Sequence, residues 1–198
     1  MRTHEQTANS PGGSDRYVLR LARRADVEQL RRLIDASVRG LSAGFYTPEE
    51  IDASLIHVFG VDTRVIDDGT YFVIERRDEV DAGEIVASGG WSARRTLYGG
   101  DQMKATEDPL LDPSTDAARI RAFFVHPSHA RRGLARRLFD ACRAAAHGAG
   151  FRKLELAATL PGVPLYTALG FSPHEAIDTP MPGGLVLRCI RMDRAIGA

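Results

Sequence analysis

The chain has 198 residues, 43% of them apolar and 26% charged, proportions of a globular protein that argue against disorder, a collagen-like repeat or a membrane-embedded chain. Lys plus Arg and Asp plus Glu number 26 each, so no global charge draws the chain toward nucleic acid or an anionic membrane, and only local patches bear on function. The length suits one domain with a tail. No apolar run approaches the ~18 residues of a spanning helix, and the polar start "MRTHEQTANSPGGSDR" lacks the apolar core of a secretory signal, which points to the cytoplasm.

Residues 1–15, rich in Gly, Ser, Asn and Pro, read as a loose tail, and 16–198 as one domain. "YVLRLA" alternates as a strand. Asp26 then caps a helix whose Val27, Leu30, Leu33, Ile34 and Val38 recur at three- and four-residue steps. In "TPEEIDASLIHVFG" the spacing predicts a second helix, with Thr47 as N-cap, Pro48 at the first helical position, Glu50 at the capping-box position and Gly60 near the stop. "TYFVIER" and "EIVASGGW" are two strands joined by the polar turn "RDEVDAG", a hairpin. From Ser92 to Thr115 periodicity disappears, and a connection of this length inside one domain is usually functional or mobile. "ARIRAFFVHP" is a strand ending at Pro127. Then come a helix closed by "HGAGF", the strand "KLELAAT", a short helix around "PLYTALG" and a last strand pair ending in "GLVLRCIRM". Cys142 and Cys189 have no metal-ligand or redox spacing and read as small core residues in a reducing compartment.

The helix around "HPSHARRGLARRLFDACRAAA" is unusual at its front. Leu134, Leu138, Ala141 or Cys142, and Ala145 form the apolar stripe of a helix lying on a sheet. Arg136, Arg137 and Arg143 fit an ordinary solvated face. "HARRG" in the first turn does not, because the helix dipole already puts about half a positive charge there and acidic residues are the usual neighbours. Cations beside unpaired amides make sense if an anion sits in the mouth, with glycine letting it touch the backbone, and the pattern suggests a phosphate or pyrophosphate. Neither a Walker loop nor a dinucleotide fingerprint is present, since each needs more glycines than "ARRGLARR" offers.

A strand ending in Val-x-Pro, a short loop and then Arg-x-Gly-x-Ala opening a long helix resembles the acyl-CoA-binding core of the GNAT superfamily of N-acetyltransferases, whose pattern is (Gln/Arg)-x-x-Gly-x-(Gly/Ala). Gly133 and Ala135 match its fixed positions and Arg132 the basic residue before the glycine, while Ala130 departs from the slot held by Gln or Arg. Downstream, "LELAATLPGVPLYTALGF" resembles the family's later motif of strand, short helix bearing tyrosine, and Gly-Phe, with Thr159 where many members carry asparagine. The likeness spans roughly residues 17 to 194. It implies an α/β (α+β) GNAT fold, a central mixed, mostly antiparallel twisted sheet of about six to seven strands flanked by about four helices. It implies acetyl-CoA (coenzyme A) as cofactor, held by Phe124, Val125, Arg131, Arg132, Gly133, Leu134, Ala135 and Arg136, with no metal.

The resemblance also implies a reaction, direct attack of a primary amine on the thioester. Tyr166 is then the acid for the leaving thiolate and a strand amide at Phe124 or Val125 the donor to the carbonyl oxygen. Taken without the upstream motif, a tyrosine between Leu165 and Leu169 also reads as a core aromatic with its hydroxyl paired. An amine with a pKa of roughly 10.4 must lose a proton, and no carboxylate stands in "RIRAFFV", so Asp101, Asp116, Glu155, His126 and His129 are the available bases. Of these, Glu155 is expected to face solvent and the histidines to lie exposed beside the cofactor mouth. The acceptor is expected over "SVRGLSAGFYTPEE" and the 92–116 loop, with Trp91 and Tyr98 near the pocket. The expected partner is a small-molecule amine, with no nucleic acid and no membrane, and a homodimer is allowed. A peptide or protein amine as acceptor, a non-catalytic acyl-CoA-binding module, and a nucleic-acid-binding arginine helix are the competing readings.

Overall fold

The computed structural model describes residues 16–77 and 83–197. The proposed tail and the tip of the "RDEVDAG" turn lie outside the described residues. In chain order the elements are β1 (Tyr17–Leu21), α1 (Val27–Ser42), α2 (Pro48–His57), α3 (Thr63–Asp67), β2 (Tyr71–Arg76), β3 (Glu84–Ser92), β4 (Ala118–Val125), α4 (Leu134–Gly148), β5 (Lys153–Thr159), α5 (Val163–Ala168), β6 (Ser172–Pro180) and β7 (Val186–Ala195). The strands form one seven-stranded sheet in the order β1-β2-β3-β4-β5-β7-β6. Every neighbouring pair is antiparallel except β4 and β5, so the sheet is mixed and mostly antiparallel, as expected.

Local chemistry accounts for the helices. Thr47 and Glu50 form the expected capping box at the head of α2, with Glu50 N donating to Thr47 Oγ1 at 3.2 Å and Thr47 N to the Glu50 carboxylate at 2.9 Å. Asp26 does not cap α1 with its side chain. Its carboxylate instead accepts the Arg23 amide at 2.7 Å and a forked pair of bonds from Arg20, closing a 3₁₀ turn over 24–26 ahead of the helix. The helix α3 escapes periodicity because five residues are too few to show a repeat. Cys142 and Cys189 are both buried and unpaired.

Apolar side chains fill both faces of the sheet. Leu30, Leu33, Ile34, Val73 and Phe124 join α1 to one face, and Phe139, Cys142, Leu154, Phe171 and Met192 join α4 and α5 to the other. Leu134 and Leu138 anchor the front of α4 on Ile74 and Val86.

The parallel pair β4–β5 meets only at Ala118↔Leu154 and Arg119↔Glu155, and beyond these residues the two strands separate. A bulge helps to turn β4 away. Ala122 has φ +53°, and the register with β3 shifts between Ser88 and Gly90. Tyr71 donates to the Ala122 carbonyl at 3.1 Å and bonds Ser88 Oγ at 3.0 Å, holding the bulge from β2. Gly89 makes room for it, since a Cβ there would meet the Phe123 ring at 2.7 Å.

The α1–α2 connection is tied to the far side of the gap by Tyr46. Its hydroxyl donates to the Arg188 carbonyl of β7 at 2.6 Å and accepts the Leu160 amide at 2.8 Å just after β5. Tyr46→Phe leaves both backbone groups short of a partner at a largely buried position. It should lower the unfolding free energy by about 1–3 kcal/mol, and a urea midpoint equal to the parent's would refute the tie.

Candidate active site

Where β4 and β5 separate, a cleft of about 210 Å³ opens. Its walls are Ser37, Val38 and Leu41 of α1 on one side and Thr159, Leu165 and Tyr166 on the other, with β4 from Ile120 to Val125 as the floor and Leu97–Gly100 of the long loop along the rim. Ala135 of α4 also lines it, so the cleft runs to the mouth of that helix.

The mouth itself differs from the expected form. The segment "HARRG" is a loop, and α4 begins only at Leu134, so Arg131 and Arg132 precede the helix and Arg136 and Arg137 occupy its first turn. The loop is sharply folded, with Arg131 at φ +62° and Gly133, the N-cap, at +78°. A Cβ on Gly133 would meet nothing within 4 Å, so the glycine serves backbone conformation and faces open space. The amides of Gly133, Leu134, Ala135 and Arg136 have no hydrogen-bond acceptor among the described residues. Cations surround them. Arg132 reaches the Tyr17 hydroxyl and the Ser128 carbonyl, both at 3.2 Å, and Arg137 donates to the Tyr17 carbonyl at 2.7 Å, while Arg131 and Arg136 are exposed. The absence of any acidic residue in this turn leaves dipole and side chains acting in one direction.

Tyr166 is buried against the edges of Phe123 and Phe171, with ring centroids 6.2 and 5.7 Å away, and it lines the cleft. Its hydroxyl has no hydrogen-bond partner among the described residues, unlike that of a core tyrosine satisfied by the protein. Burial raises its pKa well above the ordinary tyrosine range, so it carries its proton at neutral and mildly alkaline pH. Val125 is paired with Ala87, and its neighbour His126 bonds Val86 across the ladder at 2.8 Å, so alternation turns the Val125 amide away from β3 and the Phe124 amide toward it. The Val125 amide donates instead to Ser37 Oγ of α1 at 3.2 Å.

Arg121 was not anticipated. This guanidinium, with its side chain 2% exposed, bonds Asp62 at 2.8 Å and the carbonyls of Thr96 and Gly99, each at 2.8 Å. It therefore fixes the long loop over the cleft, and Lys104 joins Asp62 from the loop side at 2.6 Å. Burial pulls the Arg121 pKa down while Asp62 and Asp108 push it back up. An arginine between Ile120 and Ala122 in an apolar strand is the available signal; its partner lies 59 residues away in sequence.

The candidate bases are not brought together. Glu155 is buried between Arg119 and Arg191, which corrects the expectation of a solvent-facing side chain: register puts it opposite Arg119. His129 is likewise buried, its ring bonded to Tyr17 Oη at 2.9 Å, with burial lowering its pKa. His126 packs against it with centroids 5.8 Å apart. Asp101 is taken by Lys104 and Thr63, and Asp116 accepts the Asp112 amide at 2.8 Å. Of the two aromatics expected near the pocket, Tyr98 lines the cleft and bonds Thr179 of β6 at 2.7 Å, whereas Trp91 packs on Phe151 beneath α4.

Residues 67–173 match the family model of the acetyltransferase (GNAT) domain. Among solved structures, the chain is similar to a GCN5-related N-acetyltransferase from Rhodopseudomonas palustris, with TM-score 0.63 and 16% identity over 98% of this chain and 100% of that one. It is similar to the PaiA N-acetyltransferase of Thermoplasma acidophilum in complex with coenzyme A, with TM-score 0.58 and 12% identity over 91% and 99%. The ribosomal-protein-S18-alanine N-acetyltransferase of Escherichia coli aligns with TM-score 0.56 and 14% identity over 92% and 95%. No curated protein matches by sequence.

Arg121→Ala would leave the Asp62 carboxylate with Lys104 and the Arg64 amide, and two loop carbonyls without this donor. Breaking a buried pair costs about 3–5 kcal/mol, and the surviving Lys104 contact favours the lower end. Urea unfolding reads this directly; a loss below about 1 kcal/mol would mean that the loop is held by something else.

Proposed function

The chain belongs to the GNAT acetyltransferase family, and from that membership we propose that it transfers an acetyl group from acetyl-CoA to the primary amine of a small molecule by direct attack. Membership makes it an acyl-CoA N-acyltransferase. The reading rests above all on one observation: the helix front, whose first amides lack an acceptor among the described residues, reaches the cleft at Ala135, and Tyr166, whose hydroxyl likewise lacks a partner among them, lines the same cleft. Enclosure supports a small acceptor. Tyr98 bonds β6 and Arg121 pins the loop, so the cleft is walled on both sides. Two buried free thiols suit a reducing compartment, and the cytoplasm is the proposed location.

The donor, when bound, supplies a thioester for attack and a pyrophosphate whose charge must be neutralised. The residues present fit it. The amides of Gly133, Leu134, Ala135 and Arg136 receive the anionic end, with Arg131, Arg132 and Arg136 adding charge and Gly133 keeping any Cβ clear of the approach. Phe124, Val125 and Ala135 line the passage between the strands. The Val125 amide exchanges its long bond to Ser37 for the oxygen on which negative charge develops. Tyr166, kept neutral by burial, delivers a proton to the departing sulfur.

Acetyl-CoA should raise the melting temperature, because a ligand at about 100 times its Kd stabilises the native state by about 2.7 kcal/mol. Gly133→Asp, which puts a carboxylate at the anion seat and a side chain at a left-handed φ, should abolish most of that shift. If this variant responds like the parent, the cofactor seat is elsewhere. Tyr166→Phe should keep the shift while turnover falls about 10²-fold or more. Full turnover in that variant would remove the tyrosine from the reaction. A retained shift with no thiol release from any amine would identify a non-catalytic acyl-CoA-binding module.

A further inference from the structure

The lining of the cleft bears on which amines it accepts, an inference that rests on the acetyltransferase reading above. Val38, Leu41, Phe59, Leu97, Phe124 and Leu165 are among the apolar side chains that line it. Among the described residues that line it there is no Asp, Glu or His. The charged or titratable groups facing the cleft are Arg121 from β4, Tyr98 from the long loop and Tyr166 from α5; α1, the turn after α2 and α4 contribute none. Arg121 is a cation already committed to Asp62 and two carbonyls, and Tyr98 is bonded to Thr179. An ammonium entering this space would lose its water, find no counter-charge and approach a guanidinium.

We propose that the acceptor is a hydrophobic primary amine that enters the cleft as the free base, its proton left in solvent before binding rather than taken by a side chain. The neutral nitrogen forms its bond to the carbonyl carbon as the C–S bond breaks. The Tyr166 proton joins the sulfur and the proton shed by the nitrogen restores the Tyr166 hydroxyl, so the amide and the free thiol form with no net change in protons. Selection then operates on two properties, an apolar body that matches the lining and a nitrogen that is appreciably neutral at the working pH. Polyamines and aminoglycosides fail on the first, because each further ammonium must be desolvated without a partner.

The test compares hexylamine, whose nitrogen titrates near the lysine value of about 10.4, with phenylalanine amide, whose α-amino group titrates near about 8. Spermidine and kanamycin serve as polycationic rivals. Against the full-length chain and acetyl-CoA, kcat/KM for hexylamine should climb about tenfold per pH unit between about pH 7 and 9, whereas that for phenylalanine amide should level off near about pH 8. With coenzyme A bound and no acetyl group present, hexylamine should raise the melting temperature at about pH 9.5 and far less at about pH 7. A common inflection for both acceptors, a preference for spermidine or kanamycin, or a hexylamine shift independent of pH would overturn the proposal while leaving the acetyltransferase reading intact. Acetyl-CoA binding without thiol release from any of the four amines would overturn that reading itself. Leu41 is 37% exposed and can accept a polar side chain, so Leu41→Glu should fold. It should move the spermidine-to-hexylamine ratio of kcat/KM upward by about tenfold, as one new ion pair supplies roughly 1.4 kcal/mol; an unchanged ratio would also count against the proposal.

Discussion

The early end of the β4–β5 pairing is the constraint from which the site follows. A parallel ladder that stops after two residue pairs leaves polar backbone groups on both strands facing a gap, and buried groups of this kind need partners. Side-chain hydroxyls supply them from three directions. Tyr71 takes the Ala122 carbonyl, Ser37 takes the Val125 amide and Tyr46 takes the Leu160 amide. Each is a neutral group, so these partners introduce no charge, and in the proposed reaction the 3.2 Å bond from Val125 is the one given up to the substrate oxygen.

Charge is arranged around this neutral cleft rather than within it. At the front of α4, dipole, free amides and arginines act together, and no acidic residue offsets them. Across the sheet, Arg119 and Arg121 of β4 are matched by Glu155 and Asp62, so the cations that the strand carries are neutralised by protein carboxylates. The Arg121 pair also has a mechanical consequence. By holding the Thr96 and Gly99 carbonyls it turns a long loop with little regular structure into a fixed wall of the cleft. A buried guanidinium in the adjacent strand thus joins the loop's own bonds, such as Thr96 N to Asp108, in ordering this long connection.

The same separation of charge from cleft bears on the proposed chemistry. In the proposed reaction Tyr166 is the acid: burial keeps its proton in place, and the lining of the cleft carries no carboxylate among the described residues. A site built this way fits the proposed reaction, in which a proton is delivered to the leaving group and the incoming nitrogen arrives already neutral.

What the sequence determined by itself is whatever short-range chemistry encodes. The capping box at Thr47 and Glu50, the apolar stripe of Leu134, Leu138 and Cys142, the strand "KLELAAT" and the two motifs at Gly133 and Tyr166 all lie within one turn or one strand, where spacing and residue type decide the outcome. Tertiary structure decided the rest. In "RIRAFFV" the bulge at Ala122 reverses the alternation, so Ile120 and Phe123 face α4 and α5 while Arg121 and Phe124 face α1 and the long loop, and no pattern within the strand announces that reversal. Glu155 looked like a solvent-facing strand carboxylate until register set it against Arg119, and Asp62 found Arg121 across 59 residues. Such pairings depend on which strands become neighbours and where they stop being neighbours, a property of the whole sheet that no local window of residues contains.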